Sequence, residues 1–460
     1  MRIYLVLLAL ILQGLFTNHS FSASVLPPIR MELKITPPLP TIGTLFVREA
    51  VGGFSYAVEA SRDMVNWENI NTEVASPSGE FSIVVPAVTD DPVRFFRVRQ
   101  LSETLAISSD AATPSYQIAA GGSVGVITSI FKLRMPVSDG LLFALPIKLT
   151  SGSPQSLFQV TFWDGSSEIG RAVFTGNSKK ALVVFSSSAA PFLKGGTDNS
   201  LTVKVDLTGI GPQSSGTSGD LVTIDYDDDP APGMEARAVS LRTGERIPIS
   251  GNTHSGGVRI FKSYPAVAFI PLPSSGVSDG RLLRFSASAS QLGAIALGKM
   301  QVNVNASNAS VSDVNVFAYS DPSFSQPISG LGSGGKLLQI DASSGQSVVG
   351  LGMLVIPQTV SGNETSVQVS AGNRVYFEVR AVVKPASPDF YVVTELMGDS
   401  DASQLTPLIT ETEGRYSVAT GNFVWSPNSR TISDIADPDW TNGYAVPGLP
   451  PNGITQVRTN

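Results

Sequence analysis

An all-β fold of tandem β-sandwich domains is predicted by three observations. Apolar and polar residues alternate in short runs, as where Leu201, Val203, Val205 and Leu207 interleave with Thr202, Lys204 and Asp206, which sets one strand face on a core and the other in water. Glycine (43) and proline (31) punctuate these runs and only 15% of residues are charged, a balance that suits many short strands joined by turns rather than long charged helices. At 460 residues the chain exceeds one hydrophobic core, since single domains usually run to about 100 to 200 residues, so roughly three domains are expected.

The chain opens with Arg2, an apolar run over residues 3–12 and then small polar residues, the pattern of a secretory signal peptide over 1–24 with cleavage after Ser22 or Ser24. No later stretch reaches membrane-span length, so no transmembrane segment is expected after cleavage. With no cysteine, an exported chain has neither disulfides nor a lipid-bearing thiol, and its folds rest on core burial alone. Residues 25–42 carry Pro27, Pro28, Pro37, Pro38 and Pro40 and read as an extended linker.

From 43 to 100, alternating strands over 44–47, 55–60, 81–85 and 94–99 are separated by turn signals at Gly52 and Gly53, at residues 61–63 and at 77–79. Tyr56 and Val58 share one strand face, Trp67 is expected to cap the core, and Phe96 and Val98 to close it. Residues 56–67 together with the closing residues 94–99 resemble the small fibronectin type III-like modules of secreted bacterial proteins.

The remainder holds an internal duplication. Residues 149–153 and 157–165 answer to 304–307 and 311–321, residues 200–207 to 374–381, and residues 221–226 to 390–395. Strands every 8 to 20 residues within copies of this length suit immunoglobulin-like sandwiches, one over 103–230 and a second over 258–402, with 231–257 as a polar linker and 403–460 as a C-terminal segment packing on the last domain. The alignment predicts that Phe162 and Phe317 occupy equivalent inward positions, as do Val203 and Phe377, and Ile224 and Thr394 or Val393.

The tail carries Phe423, Trp425, Trp440 and Tyr444 before Pro447, Leu449 and Pro450. Together with residues 260–265 and 226–229 it resembles tandem immunoglobulin-like repeat surface proteins of candidate-phyla bacteria, over residues 103–455. The resemblance implies a large exported protein of the surface layer or of adhesion, although this chain has only two such copies.

Chemistry is sparsely provisioned. There is no cysteine nucleophile, His19 leaves with the signal peptide, and His254 is the one mature histidine, so a His-based zinc site is excluded and a serine triad has one candidate base. No nucleophile elbow, P-loop or dinucleotide fingerprint is present. The expectation is a protein that is not an enzyme, with a carboxylate-based glycoside hydrolase as the remote alternative.

A net charge of −7 leaves no basic stripe for phosphates, so nucleic acid is not an expected partner. The expected partners are a cell-surface protein or glycan, with self-assembly a further outcome, and the expected location is secreted or cell-surface. A carbohydrate-binding accessory role is the main alternative, with Trp163, Trp425, Trp440 and Tyr444 as stacking candidates, although packing is the expected fate of all four. Asp225, Asp227, Asp228 and Asp229 end a strand before Pro230 and are the calcium candidates, since hard oxygen ligands at a strand end suit weak extracellular Ca²⁺ sites. Asp399 and Asp401, and Asp434, Asp437 and Asp439, are the lesser acidic groups.

Overall fold

The structure, a computed structural model, describes residues 30–35, 42–50, 54–76, 78–86, 95–101, 103–337, 351–408 and 421–459. The expected signal peptide and its cleavage point lie outside the described residues. Nearly all regular structure is β, in six sheets. Among the described residues no helix is long and apolar enough to cross a membrane.

The first pair of sheets is built from β1 (Arg30–Ile35), β2 (Ile42–Arg48), β3 (Ser55–Ser61), β4 (Glu68–Val74), β5 (Phe81–Pro86) and β6 (Phe95–Gln100), in the orders β1-β2-β5 and β4-β3-β6. Leu45, Val47, Tyr56, Val58 and Ile83 fill the space between them, and Tyr56 stacks on Phe81 at 5.7 Å. The β3–β4 turn is organised by Asp63, whose carboxylate accepts from the backbone N–H groups of Val65 (2.9 Å) and Asn66 (2.8 Å). Two expectations are corrected here. Residues 30–35, assigned to a linker, form a strand paired with β2. Trp67 does not cap the core: it lies half-buried on the outer face, with the Arg97 guanidinium 4.2 Å from its ring.

The second pair runs through β7 (Leu105–Ser109), β8 (Gln117–Ala120), β9 (Val126–Arg134), β10 (Gly140–Ser151), β11 (Leu157–Asp164), β12 (Ser167–Ala172) and β13 (Lys180–Val184). It continues through β14 (Phe192–Leu193), β15 (Asp198–Leu207), β16 (Asp220–Tyr226), β17 (Arg237–Ser240), β18 (Arg246–Ile247), β19 (Ile249–Gly251) and β20 (Val258–Phe261). One sheet has the order β18-β17-β10-β16-β20-β8, with β13 and β14 also on β10; the other has the order β12-β11-β15-β9-β7-β19. Residues 231–257, expected to be a linker, therefore supply β17, β18 and β19 to these sheets.

The third pair uses β21 (Pro265–Phe269), β22 (Arg281–Ala289), β23 (Ile295–Ser307), β24 (Ala309–Tyr319), β25 (Lys336–Leu337) and β26 (Leu351–Val355). It is completed by β27 (Val367–Val369), β28 (Arg374–Pro385), β29 (Tyr391–Leu396), β30 (Phe423–Ser426) and β31 (Ile454–Thr459). Its orders are β21-β22-β28-β24-β25 and β26-β23-β29-β31, with β27 and β30 also on β23.

The second and third pairs are the same object drawn twice. Strands β7, β9, β10, β11, β12, β13, β14, β15, β16, β17 and β20 correspond in chain order to β21 through β31, and each pairing among these strands in one copy has its counterpart in the other, while β8, β18 and β19 are particular to the first. The hub β10 carries β13 and β14 on one edge and β16 and β17 on the other; β23 carries β26 and β27, then β29 and β30.

Register follows the expectation at two of the three tested places. Val203 and Phe377 are both fully buried, and Ile224 opposite Leu149 matches Thr394 opposite Val304, again all buried. The third is corrected. Phe162 is buried and lies opposite Val203, whereas the residue opposite Phe377 is Ala318, so Phe317 points to the outer face under Arg380, 5.2 Å from its ring. The bulge that β24 carries between Ser312 and Asn315, with Asp313 in the left-handed region (φ 53°), has its counterpart in β11 between Leu157 and Gln159, so the two strands keep one register and the residue that answers to Phe162 is Ala318, one place beyond Phe317.

No spacer separates the two copies. Phe261 and Ile118, from strands of the first copy, belong to the hydrophobic cluster that fills the second, and Phe261 meets Trp425 edge to face at 4.8 Å. Tyr116 lies 4.9 Å from Tyr444, and Lys262 Nζ donates to the Asn428 carbonyl at 2.8 Å. The tail folds back over β23: Trp440, Leu408 and Val424 cover Ala296 on the face away from the main core.

Candidate functional site

The calcium candidates sit where β16 runs out beside β10. Asp225 is buried and accepts from the hydroxyls of Thr150 and Thr253, the latter at 3.2 Å. Asp227, also buried, holds Lys180 Nζ at 3.1 Å and accepts from the Asp229 N–H at 3.3 Å. Asp228 is exposed and pairs with Lys148; that hydrogen bond holds its carboxyl below the usual carboxylate range and raises the Lys148 ammonium. Asp229 contributes its carbonyl, which accepts from Lys180.

Two ammonium groups thus pair with the acidic run, Lys148 with Asp228 and Lys180 with Asp227, and alternate strand residues point to opposite sides. Among the described residues no three carboxylate or histidine groups gather as a metal set. Asp225, Asp227, Asp228 and Asp229, the residues expected to hold calcium, stand in this structure as an ion-paired knot that fastens β16 and the following turn to β10 and β13.

The lesser acidic groups are structural hubs. Asp399 is buried and accepts three backbone N–H groups, from Asn422 (2.7 Å), Phe423 (3.2 Å) and Gly443 (2.7 Å), which fixes the returning tail against β23. Asp439 takes the hydroxyls of Ser426 (2.9 Å) and Ser433 (2.6 Å) and the N–H of Ser429 (2.8 Å). Asp401 is exposed; its carbonyl accepts from the Asn442 amide at 2.7 Å and its carboxylate from the Ser400 hydroxyl at 3.5 Å, while the Asp437 carboxylate accepts from the Asp434 N–H.

The stacking candidates divide. Trp425 and Trp440 are buried and Tyr444 packs on Tyr116, so packing accounts for these three. Trp163 remains half-exposed on the outer face of β11, its ring under Lys204 Nζ at 3.8 Å and its indole N–H donating to Thr161 at 2.9 Å. His254 lies in the loop before β20 and engages through its backbone, its N–H donating to Ser109 Oγ at 2.7 Å.

Sequence reasoning missed the outer-face carboxylates. Glu378 is fully buried on β28 beneath Arg281 (3.2 Å), Arg284 (2.6 Å) and Arg380, with Arg284 also 3.9 Å from the Phe324 ring. In the first pair of sheets Glu59 is held in the same manner by Arg97 and by Arg99 at 3.0 Å; burial alone would raise its carboxyl, and the two arginines bring it below the ordinary value. Charges two apart inside an apolar strand, as in Arg97 and Arg99 or Glu378 and Arg380, were the available signal.

No family model matches the chain, and no curated protein matches it. Among solved structures it is similar to a serine-rich repeat protein of Streptococcus agalactiae, at 8% identity over 64% of this chain and 87% of that one, with a TM-score of 0.15. It is also similar to a serine-rich repeat adhesion glycoprotein of the same species, at 9% identity over 64% and 91%, TM-score 0.15. A tetra-tandem repeat from the extending region of a large adhesion protein shares 10% identity over 78% and 91%, TM-score 0.13. At TM-scores this low the likeness carries no argument about function.

Proposed function

We propose that the chain is a non-catalytic, exported scaffold of the cell surface or its surroundings, made of a fibronectin type III-like module followed by two immunoglobulin-like sandwiches and serving a structural or adhesive role. The observation that carries the reading is the spacer-free joint between two copies of one eleven-strand unit, with Phe261 and Ile118 of the first inside the core of the second. Rigid repetition of this kind suits a spacer or a platform. The acidic knot, Asp399 and Asp439 are each engaged in holding strands together, which fits a scaffold better than a reaction centre. The sequence resemblance to repeat-bearing surface proteins and the signal-like start support export. Surface biotinylation and fractionation of the producing cells, followed by identification of what co-purifies, test this. Labelling of the chain from outside is expected; retention in the cytoplasm overturns it.

A second reading, glycan binding, is favoured by half-exposed Trp163 under Lys204 and by a polar groove of about 630 Å³ lined by Gln368, Asn373, Arg374 and Tyr376. Binding on a glycan array that is lost in Trp163→Ala or Tyr376→Ala selects this reading.

A further inference from the structure

Between the first copy's opening and closing segments the pairing is parallel, an exception in a molecule whose other strand pairs are antiparallel among the described strands. Strand β7 runs beside β19, with Leu105, Ala106 and Ile107 opposite Ile249, Ser250 and Gly251. The chain then crosses to the other sheet, where β8 runs beside β20, with Gln117 through Ala120 opposite Val258 through Phe261. Further backbone bonds extend both ladders: the Leu105 N–H donates to the Pro248 carbonyl (2.9 Å), Gln117 to Gly257 (3.2 Å) and Gly121 to Phe261 (2.7 Å). The backbones approach so closely that a Cβ on Gly256 would lie 0.9 Å from the Ser115 carbonyl oxygen, a contact only glycine permits.

We propose that this chain bears tension along its length, and that the β7·β19 and β8·β20 ladders of the first copy are the shear clamp that resists it. Force enters the copy at the start of β7, from the preceding sheets, and leaves at the end of β20, toward the joint with the second copy. Two parallel strands pulled from opposite ends slide along one another, so all rungs must give together. Strands pulled from the same end open one rung at a time, and a single rung is weak.

The second copy stitches its own ends in the same places. The Val267 N–H donates to the Pro447 carbonyl (2.8 Å), the Thr459 N–H to the Ser275 carbonyl (2.9 Å), and the fully buried Arg458 reaches the carbonyls of Ser274 and Gly276 and the Asp279 carboxylate. A chain with no cysteine has no disulfide to carry load, and the hydrogen-bond geometry of these ladders takes that part. This function is a property of the chain alone and stands whatever partner or location it has.

The absence of cysteine also makes the test direct. In the full chain, paired substitutions place two handles on one folded state: Ala112→Cys with Lys262→Cys loads β8 and β20 from opposite ends, and Val124→Cys with Lys262→Cys loads them from the same end. Positions 112 and 124 are exposed and lie outside the ladder. Pulled singly at one loading rate, the 112–262 pair is expected to rupture at a force about twofold or more above that of the 124–262 pair, because forced unfolding follows the barrier along the pulled coordinate rather than equilibrium stability. Equal forces, or a weaker 112–262 pair, overturn the clamp. Because both variants share the Lys262 handle and the same folded state, a difference between them reports direction of loading alone.

Discussion

Phe261 closes the last strand of the first copy, yet its ring stands 4.8 Å from Trp425 inside the second. The two copies therefore share apolar contacts that neither satisfies alone, and they are expected to unfold together. Phe261→Ala should cost about 3 to 5 kcal/mol, and in calorimetry it should split one transition spanning both copies into two. Two transitions already present in the unaltered chain would show that the joint does not couple them.

Phe162 and Phe317 are a matched pair in sequence and opposites in space. Phe162 contacts Phe131 at 5.9 Å and Phe185 at 6.0 Å in a dry core, so Phe162→Ala is expected to cost about 3 to 5 kcal/mol in chemical denaturation. Phe317→Ala, on the outer face, should cost about 1 kcal/mol or less. Equal costs would return both rings to the core.

Thr394 stands where the first copy has Ile224, and its hydroxyl is buried with no hydrogen-bond partner. Thr394→Val keeps the shape and removes the orphaned group. A gain of about 1 kcal/mol is expected, read as a higher denaturation midpoint with unchanged slope.

Lys299 is buried on β23 beside the tail, and burial pushes its ammonium down from 10.5 to about 8 against the pull of Asp399. Below about 8 the group is charged in both folded and unfolded chains, and the folded state carries the whole cost of burying it. Between about 8 and 10.5 the unfolded chain binds more protons, so stability rises with pH there. After allowance for solvent screening the rise is about 2 kcal/mol. Denaturation midpoints measured from pH 7 to 10.5 should show it, and Lys299→Met should remove that part of the slope.

Alternation and turn residues made the strands legible, and a repeated order of strands made the duplication legible, because both are local in the chain. What stayed hidden is non-local. Residues 237–251 look like a polar linker because their strands are short and their partners, β10 and β7, lie more than 80 residues away. The mismatch at Phe317 is an offset of one residue: β11 and β24 bulge at the same place, Phe162 answers to Ala318, and the neighbouring aromatic gives no sign in composition that it lies on the other face. The acidic run before Pro230 was visible, but Lys148 and Lys180, which neutralise it, come from other strands. Trp67 carried no mark of whether its strand face would be covered, and Arg97 settled that from across the sheet.

The boundary drawn by repetition and the boundary drawn by burial do not coincide, and this bears on how such a gene is able to grow. A recombination that copied only the first unit, ending at Phe261, would carry half a joint: Ile118 and Phe261 would arrive without Trp425 and the second core that receives them. Such a copy would expose an apolar patch on arrival. Inheritance in linked pairs, with each donor side chain beside its acceptor, is the unit of exchange that the packing permits.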